Sequence, residues 1–210
     1  MIDNAVSLEE FWGVVTGLNE YVKTCMASLQ ETPEEDEKRK KFWRRMYALA
    51  VFSMIDGIVY RMIFHAHAAR ERPGVVFSLD ELQRLEKSYD FDEDEEPVAV
   101  FSRTKMLDDI KFAFNAFARV HYCDYVLPTS DPDWHLIKGI ARLREALQHP
   151  RNAEELEVYD ENVDTLVHGL LWFVERLVDL LERSRIQAAE KVADPDTQVD
   201  EQIDNDGLVM

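Results

Sequence analysis

The chain has 210 residues, 46% of them hydrophobic, and a formal net charge of -18. That is enough apolar material for one substantial core, so a single domain over residues 1–192 is the starting expectation. Acidity of this degree excludes broad electrostatic capture of nucleic acid, which needs many basic contacts to phosphate, but it leaves room for one small basic cleft.

Seven glycines and seven prolines are few, and no alternating apolar run with hairpin turns stands out, so the expected fold class is all-α. No apolar stretch approaches the roughly 20 residues that a membrane-spanning helix needs. The opening residues MIDNAVSLEEF have neither the basic start nor the apolar block of a signal peptide. The expectation is a cytoplasmic protein with no membrane partner. Cys25 and Cys123 both lie in apolar, helix-like settings, which suits reduced buried thiols better than a disulfide or a metal site.

Ser7 with Glu10 fits a capping box, and Leu8, Phe11, Trp12, Val15, Leu18, Val22, Cys25, Met26 and Leu29 follow at helical spacing, predicting a first helix to about Gln30. Thr32, Pro33 and Glu35 read as the start of a second helix, running to about Arg70 before Pro73 and Gly74 stop it. From Met46 to Phe64 this helix is apolar nearly all round, which predicts the central, most buried element. Asp56 is the odd residue there, sharing a seven-residue stripe with Phe42, Leu49 and Ile63. A buried carboxylate needs a partner. Arg61 or Tyr60 is the local candidate, and the Arg144 guanidinium is the distant one. His65 and His67 are about 200° apart in helical projection, so they read as helix-end histidines and not as a metal pair.

Ser78 with Glu81 caps a short helix, LDELQRLEKS. The acidic stretch Asp90 to Glu96 follows and contributes -6, and it reads as a loop. A third long helix is expected from about Ser102 to Cys123, with Met106, Ile110, Phe112, Phe114, Phe117, Val120 and Tyr122 facing the core. LPTSDPD is a connector in which Asp131 or Asp133 caps the next helix.

That next helix, WHLIKGIARLREALQHP, carries the candidate chemistry. Lys138, Arg142, Arg144 and Arg151 stand against Glu145 alone. Ile137, Ile140, Ala141, Leu143 and Leu147 make an inward face, with Lys138, Arg142 and Glu145 nearer solvent. Pro150 disfavours the α conformation at the preceding residue, so the helix should unwind at His149. Glu145 and His149 are four apart and share a face, where a carboxylate can set the imidazole tautomer. Arg144, five residues before His149, is a long side chain aimed at the same region. A basic group for phosphate charge beside a histidine for proton transfer is the minimum kit for metal-free cleavage of an RNA phosphodiester. The plainer alternative is that His149 merely caps a helix.

After Arg151, NAEELEVYD forms a turn, and the last helix is expected from about Asp160 to Lys191, with Leu166, Leu170, Phe173, Val174, Leu177, Leu180 and Leu181 facing inward. His168 and Asp164, four apart, read as a helix-surface pair. Residues 193–210 are acidic and poor in aromatics, which predicts a disordered tail.

Arg144, four intervening residues, then His149-Pro150, followed by the helix containing HGLLWFVERLVDLL, resembles the HEPN superfamily of helical nucleotide-binding domains. The stretch FWRRMYALAVFSMIDGIVYRM resembles the long N-terminal helix of some members, where a polar residue, here Asp56, approaches the motif. The organisation matches over most of residues 40–185, though the specific motif spans only six.

The resemblance implies an up-and-down bundle of four to five main helices. It also implies a homodimer with facing motifs, and a metal-independent endoribonuclease of a toxin–antitoxin or defence system, without a cofactor. Under it His149 is the general acid/base and Arg144 stabilises the phosphorane, with Glu145 and Asp56 as supporting groups and Lys138, Arg142 and Arg151 as RNA contacts. An antitoxin or other protein is the implied partner. Glu145 departs from the Asn, Asp or His common after the arginine in nuclease members. It either holds His149 or marks a member that has lost catalysis, leaving a non-catalytic interaction or nucleotide-binding protein as the alternative.

Overall fold

The computed structural model describes residues 8–87 and 105–193, and the apolar spacing read from the sequence becomes helix over most of them. Six α-helices and one 3-10 turn are found among these residues, and no strand. They are α1 (Leu8–Gln30), α2 (Glu37–Ala68), α3 (Leu79–Lys87), α4 (Lys105–Val120), α5 (Trp134–Gln148) and α6 (Asp160–Ala193), with the 3-10 turn at Glu154–Leu156. All but α3 have at least 15 residues. The fold class is all-α. Ser7, the acidic stretch Asp90 to Glu96 and the tail beyond Ala193 lie outside the described residues.

α2 is the hub. It packs against α1, α3, α4, α5 and α6, and Ala48, Ala50, Val51, Ile55, Ile58 and Met62 are fully buried on it. Over 18 residues it is long and apolar enough to cross a membrane, which amends the expectation that no stretch approaches that length. Most of that window is buried inside the bundle, where a core helix needs the same composition.

The start of α2 differs from the sequence reading. Thr32 bonds back to the Ser28 carbonyl at 2.7 Å and so finishes α1, while Asp36 caps α2 by accepting from the Arg39 amide at 3.1 Å. Both residues are good caps; the direction of the preceding chain decides between them. The cap of α3 is as expected, with the Glu81 amide donating to Ser78 Oγ at 3.3 Å and the Ser78 amide donating to Glu81 Oε2 at 2.8 Å. Cys25 and Cys123 are buried free thiols.

α5 and α6 meet closely because glycine faces the partner helix on each. A Cβ on Gly139 would stand 2.9 Å from Thr165 Cγ2, and one on Gly169 would stand 2.6 Å from Ile140 Cδ1. The chain between the two helices is stapled to the start of α2. Arg45 donates to the Leu156 carbonyl at 2.7 Å, Lys41 pairs with Glu157 at 3.1 Å, and buried Arg44 bridges Glu37 and Asp160, each at 2.8 Å. The end of α5 is thereby set against the bundle.

Candidate functional site

α5 carries its polar residues on two sides, and these meet different surroundings. Ile137, Ile140 and Arg144 follow the inward stripe, while Lys138, Ala141, Arg142, Glu145, Ala146 and His149 follow the outer one. The outer stripe lines a cleft of about 620 Å³. Leu107, Asp108 and Lys111 of α4 form its facing wall, and Arg151 and Glu155 close it from the turn after α5.

Each wall has a local cause. His149 ends α5 with φ -131°, out of helical geometry, and its amide still donates to the Glu145 carbonyl at 2.9 Å. Pro150 forces that exit, which leaves the imidazole exposed. Beyond it, the Arg151 amide donates to Glu155 Oε2 at 2.8 Å, and the Glu155 amide donates to Asn152 Oδ1 at 3.0 Å. This small turn folds Arg151 and Glu155 back to the rim. Lys111 lies 5.9 Å from the Trp134 ring at the start of α5, whereas Leu107 and Asp108 share the lining with His149 at its end, so α4 and α5 run in opposite directions along the cleft.

Many cations elsewhere on the protein are ion-paired, although, among the described residues, Lys38, Arg39, Arg45, Arg72 and Arg185 are not. Lys23, Lys41, Arg61, Arg84, Arg119 and Arg183 each have a carboxylate within 4.0 Å. Among the described residues, no such ion pair is made by Lys111, Lys138, Arg142 or Arg151. Four cations therefore converge with His149 on one concavity. Three carboxylates, Asp108, Glu145 and Glu155, stand among them.

Arg144 is placed otherwise. Five helical residues turn it about 140° from His149, and it is not part of the cleft lining. Its Nη2 donates to Asp56 Oδ2 on α2 at 2.9 Å, and its side chain is 14% exposed. The sequence expectation that Arg144 and His149 reach one pocket is not met within a single chain. The distant partner for Asp56 is the one found, because Arg61 turns to Glu10 at 3.7 Å and over the Phe64 ring at 5.3 Å. Nor is Asp56 a core carboxylate: its side chain is 44% exposed, and Phe42 and Leu49 of the same stripe are exposed too. Burial still raises the Asp56 carboxyl above its ordinary range; Arg144 pulls it back and Asp109 adds to the rise.

Lys138, Arg142, Arg151, Glu145 and His149 are thus brought together, and Asp56 with Arg144 forms a separate pair behind them. Lys111, Asp108, Leu107 and Glu155 were missed by sequence reasoning. Lys111 carried only a weak signal, as one exposed cation on a helix that also bears Asp108, Asp109 and Arg119. The placement of α4 along α5 carried none.

His65 is also more than a helix-end residue. It is buried, its ring stacks on His121 at 4.9 Å, and the two Nε2 atoms are 2.9 Å apart. Burial, with help from His65 and Arg72, lowers the His121 pKa to about 4. Asp164 and His168 are both exposed on α6, and no group of three or more metal-ligating side chains occurs among the described residues. No family model, curated protein or solved structure matches the chain.

Proposed function

We propose that the protein is a HEPN-like, metal-independent endoribonuclease that takes RNA at the cleft between α4 and the end of α5. The observation that carries this reading is the convergence of Lys111, Lys138, Arg142 and Arg151 with exposed His149 in a chain of net charge -18. The four cations are solvent-exposed and outside any ion pair among the described residues, and the lining keeps a net +1, so an anion entering the cleft can reach them. A phosphodiester is the anion that also makes use of the imidazole.

In this reading His149 takes the proton of a ribose 2′-hydroxyl as its oxygen attacks the adjacent phosphorus. The bond from phosphorus to the 5′-oxygen breaks, and that oxygen takes a proton from water. The products are a 2′,3′-cyclic phosphate and a 5′-hydroxyl end. Arg142 and Arg151, which share the lining with His149, neutralise charge on the phosphorane. Arg144 with Asp56 acts as a positioning pair that holds the last turns of α5 to α2. The homodimer and the neutralising antitoxin belong to the same reading and rest on the sequence resemblance.

The test is cleavage of a labelled single-stranded RNA by the purified full chain in EDTA. Cleavage should persist, leave cyclic phosphate ends, and disappear in His149→Ala. Equal rates for the variant and the parent would end the assignment. Glu145 in the same lining favours a second reading, a non-catalytic nucleotide-binding protein, whose signature is thermal stabilisation by nucleotides with no turnover.

A further inference from the structure

We infer that the cleft is built for a short or terminal piece of single-stranded nucleic acid presenting a few phosphates, and not for a long or duplex one. This deepens the proposed function and rests on its premise that the cleft binds nucleic acid, but not on catalysis.

Two observations carry it. The first is size. A cavity of about 620 Å³ falls in the range of small-molecule sites, ~300–1,000 Å³, and offers no trough for a double helix. The second is charge. Four cations against three carboxylates leave the lining at +1 with His149 neutral, whereas the other described residues together carry -7. Nucleotides inside the cleft meet unpaired Lys138, Arg142 and Arg151. Nucleotides beyond it meet a mildly acidic surface, where Lys41, next to the Glu155 rim, is already engaged by Glu157. Each further phosphate is then repelled, where an extended basic groove would reward it.

The lining also suits the ends of a strand better than stacked runs. Among the described residues no Phe, Tyr or Trp contributes to it, and its apolar surface comes from Leu107, Ala141 and Ala146. Single-strand binders that follow many nucleotides use successive aromatic platforms, each adding affinity per base. Here recognition falls to the phosphates and to carboxylates able to accept from base or ribose donors.

The experiment uses the full-length chain and 2′-O-methyl oligonucleotides of two, six and twenty nucleotides, which lack the hydroxyl needed for cleavage. Fluorescence polarisation is read across a salt series, with a 20-base-pair duplex alongside. The dinucleotide should bind. The hexanucleotide should bind more tightly as it fills the cleft, and extending it to twenty nucleotides should improve the dissociation constant by no more than the number of overlapping registers, roughly fifteenfold. The salt slope should be no steeper than about -3 at every length, as four phosphate contacts on a single strand imply. The duplex should bind more weakly, and Arg142→Glu should remove dinucleotide binding.

A larger gain from six nucleotides to twenty, a slope that steepens between those two lengths, or tighter duplex binding overturns the inference while leaving the RNA reading intact. Binding as expected with no cleavage of ordinary RNA upholds the inference and ends the nuclease assignment. No binding by any oligonucleotide overturns both.

Discussion

Arg144 on α5 and Asp56 on α2 meet at 2.9 Å across 88 residues of chain, joining the helix that carries the cleft to the helix at the centre of the bundle. The two ends of this bridge are unequal. The guanidinium is largely buried, whereas the carboxylate is nearly half-exposed.

From that inequality, removing Asp56 should cost less than removing Arg144. Asp56→Asn is expected to change stability by about 1 kcal/mol or less, since its charge is partly screened by solvent. Arg144→Ala also loses the packing of a long buried stem and should cost about 2 kcal/mol or more. A double-mutant cycle in urea measures the coupling, and a coupling of zero would show that the bridge has no part in holding α5. The pH dependence follows from the raised Asp56 carboxyl. The folded state holds this proton more tightly than the unfolded chain, so stability falls as pH rises from about 3.8 through the raised value. Asp56→Asn should lack that component.

The His65–His121 pair predicts a loss of stability at a different pH. With its pKa lowered from 6.5 to about 4, His121 stays neutral in the folded state while the unfolded chain takes up a proton. The contribution is fully present above about pH 6.5 and is lost as pH falls toward about 4. Between pH 7 and pH 5 this amounts to about 2 kcal/mol. Urea unfolding at both pH values, comparing the parent with His121→Phe, checks it; an unchanged difference in the variant would rule out this source.

Glycine substitutions should separate by what lies opposite. Gly169→Ala drives a methyl toward Ile140 Cδ1 and Leu136 Cβ at 2.6 and 3.3 Å, so fully buried Ile140 must change rotamer and α5 must give slightly against α6. Overpacking of about 1–3 kcal/mol should exceed the gain in helix propensity of about 1 kcal/mol. Gly57→Ala meets only the Leu18 side chain, whose Cδ1 lies at 2.7 Å and can rotate away, and should be neutral or stabilising. Thermal melts give the order directly; a more stable Gly169→Ala would contradict the close packing.

Cations of the cleft should be separable from folding. Lys138 and Arg142 are exposed and make no ion pair among the described residues, so replacing either with alanine should move stability by about 0.5 kcal/mol or less. RNA binding should weaken in both, and each loss should make the salt slope shallower by about 0.7 if the residue contacts a phosphate. Paired melting and binding curves check this; equal binding by all three proteins would remove these residues from the site.

Helix positions were written locally and could be read locally. Apolar spacing from Phe11 to Leu29, the reciprocal Ser78–Glu81 cap and the Pro150 exit at His149 depend on neighbours within one or two turns, and such signals survive in any tertiary setting. The same spacing marked Lys138, Arg142, Glu145 and His149 as one face.

Tertiary structure alone decided what stood opposite that face. A periodic pattern gives a residue's angle about its own helix but not which helix lies beside it. For that reason Lys111 and Asp108 of α4 and the Glu155 turn entered the cleft unannounced, and Asp56 found Arg144 instead of its neighbour Arg61. Arg144 and His149 sit close in sequence yet face apart, because 3.6 residues per turn sends one to the core stripe and the other to solvent. The pairing of His65 with His121 across 56 residues has the same origin, since nothing near either histidine encodes the crossing of α2 by the end of α4.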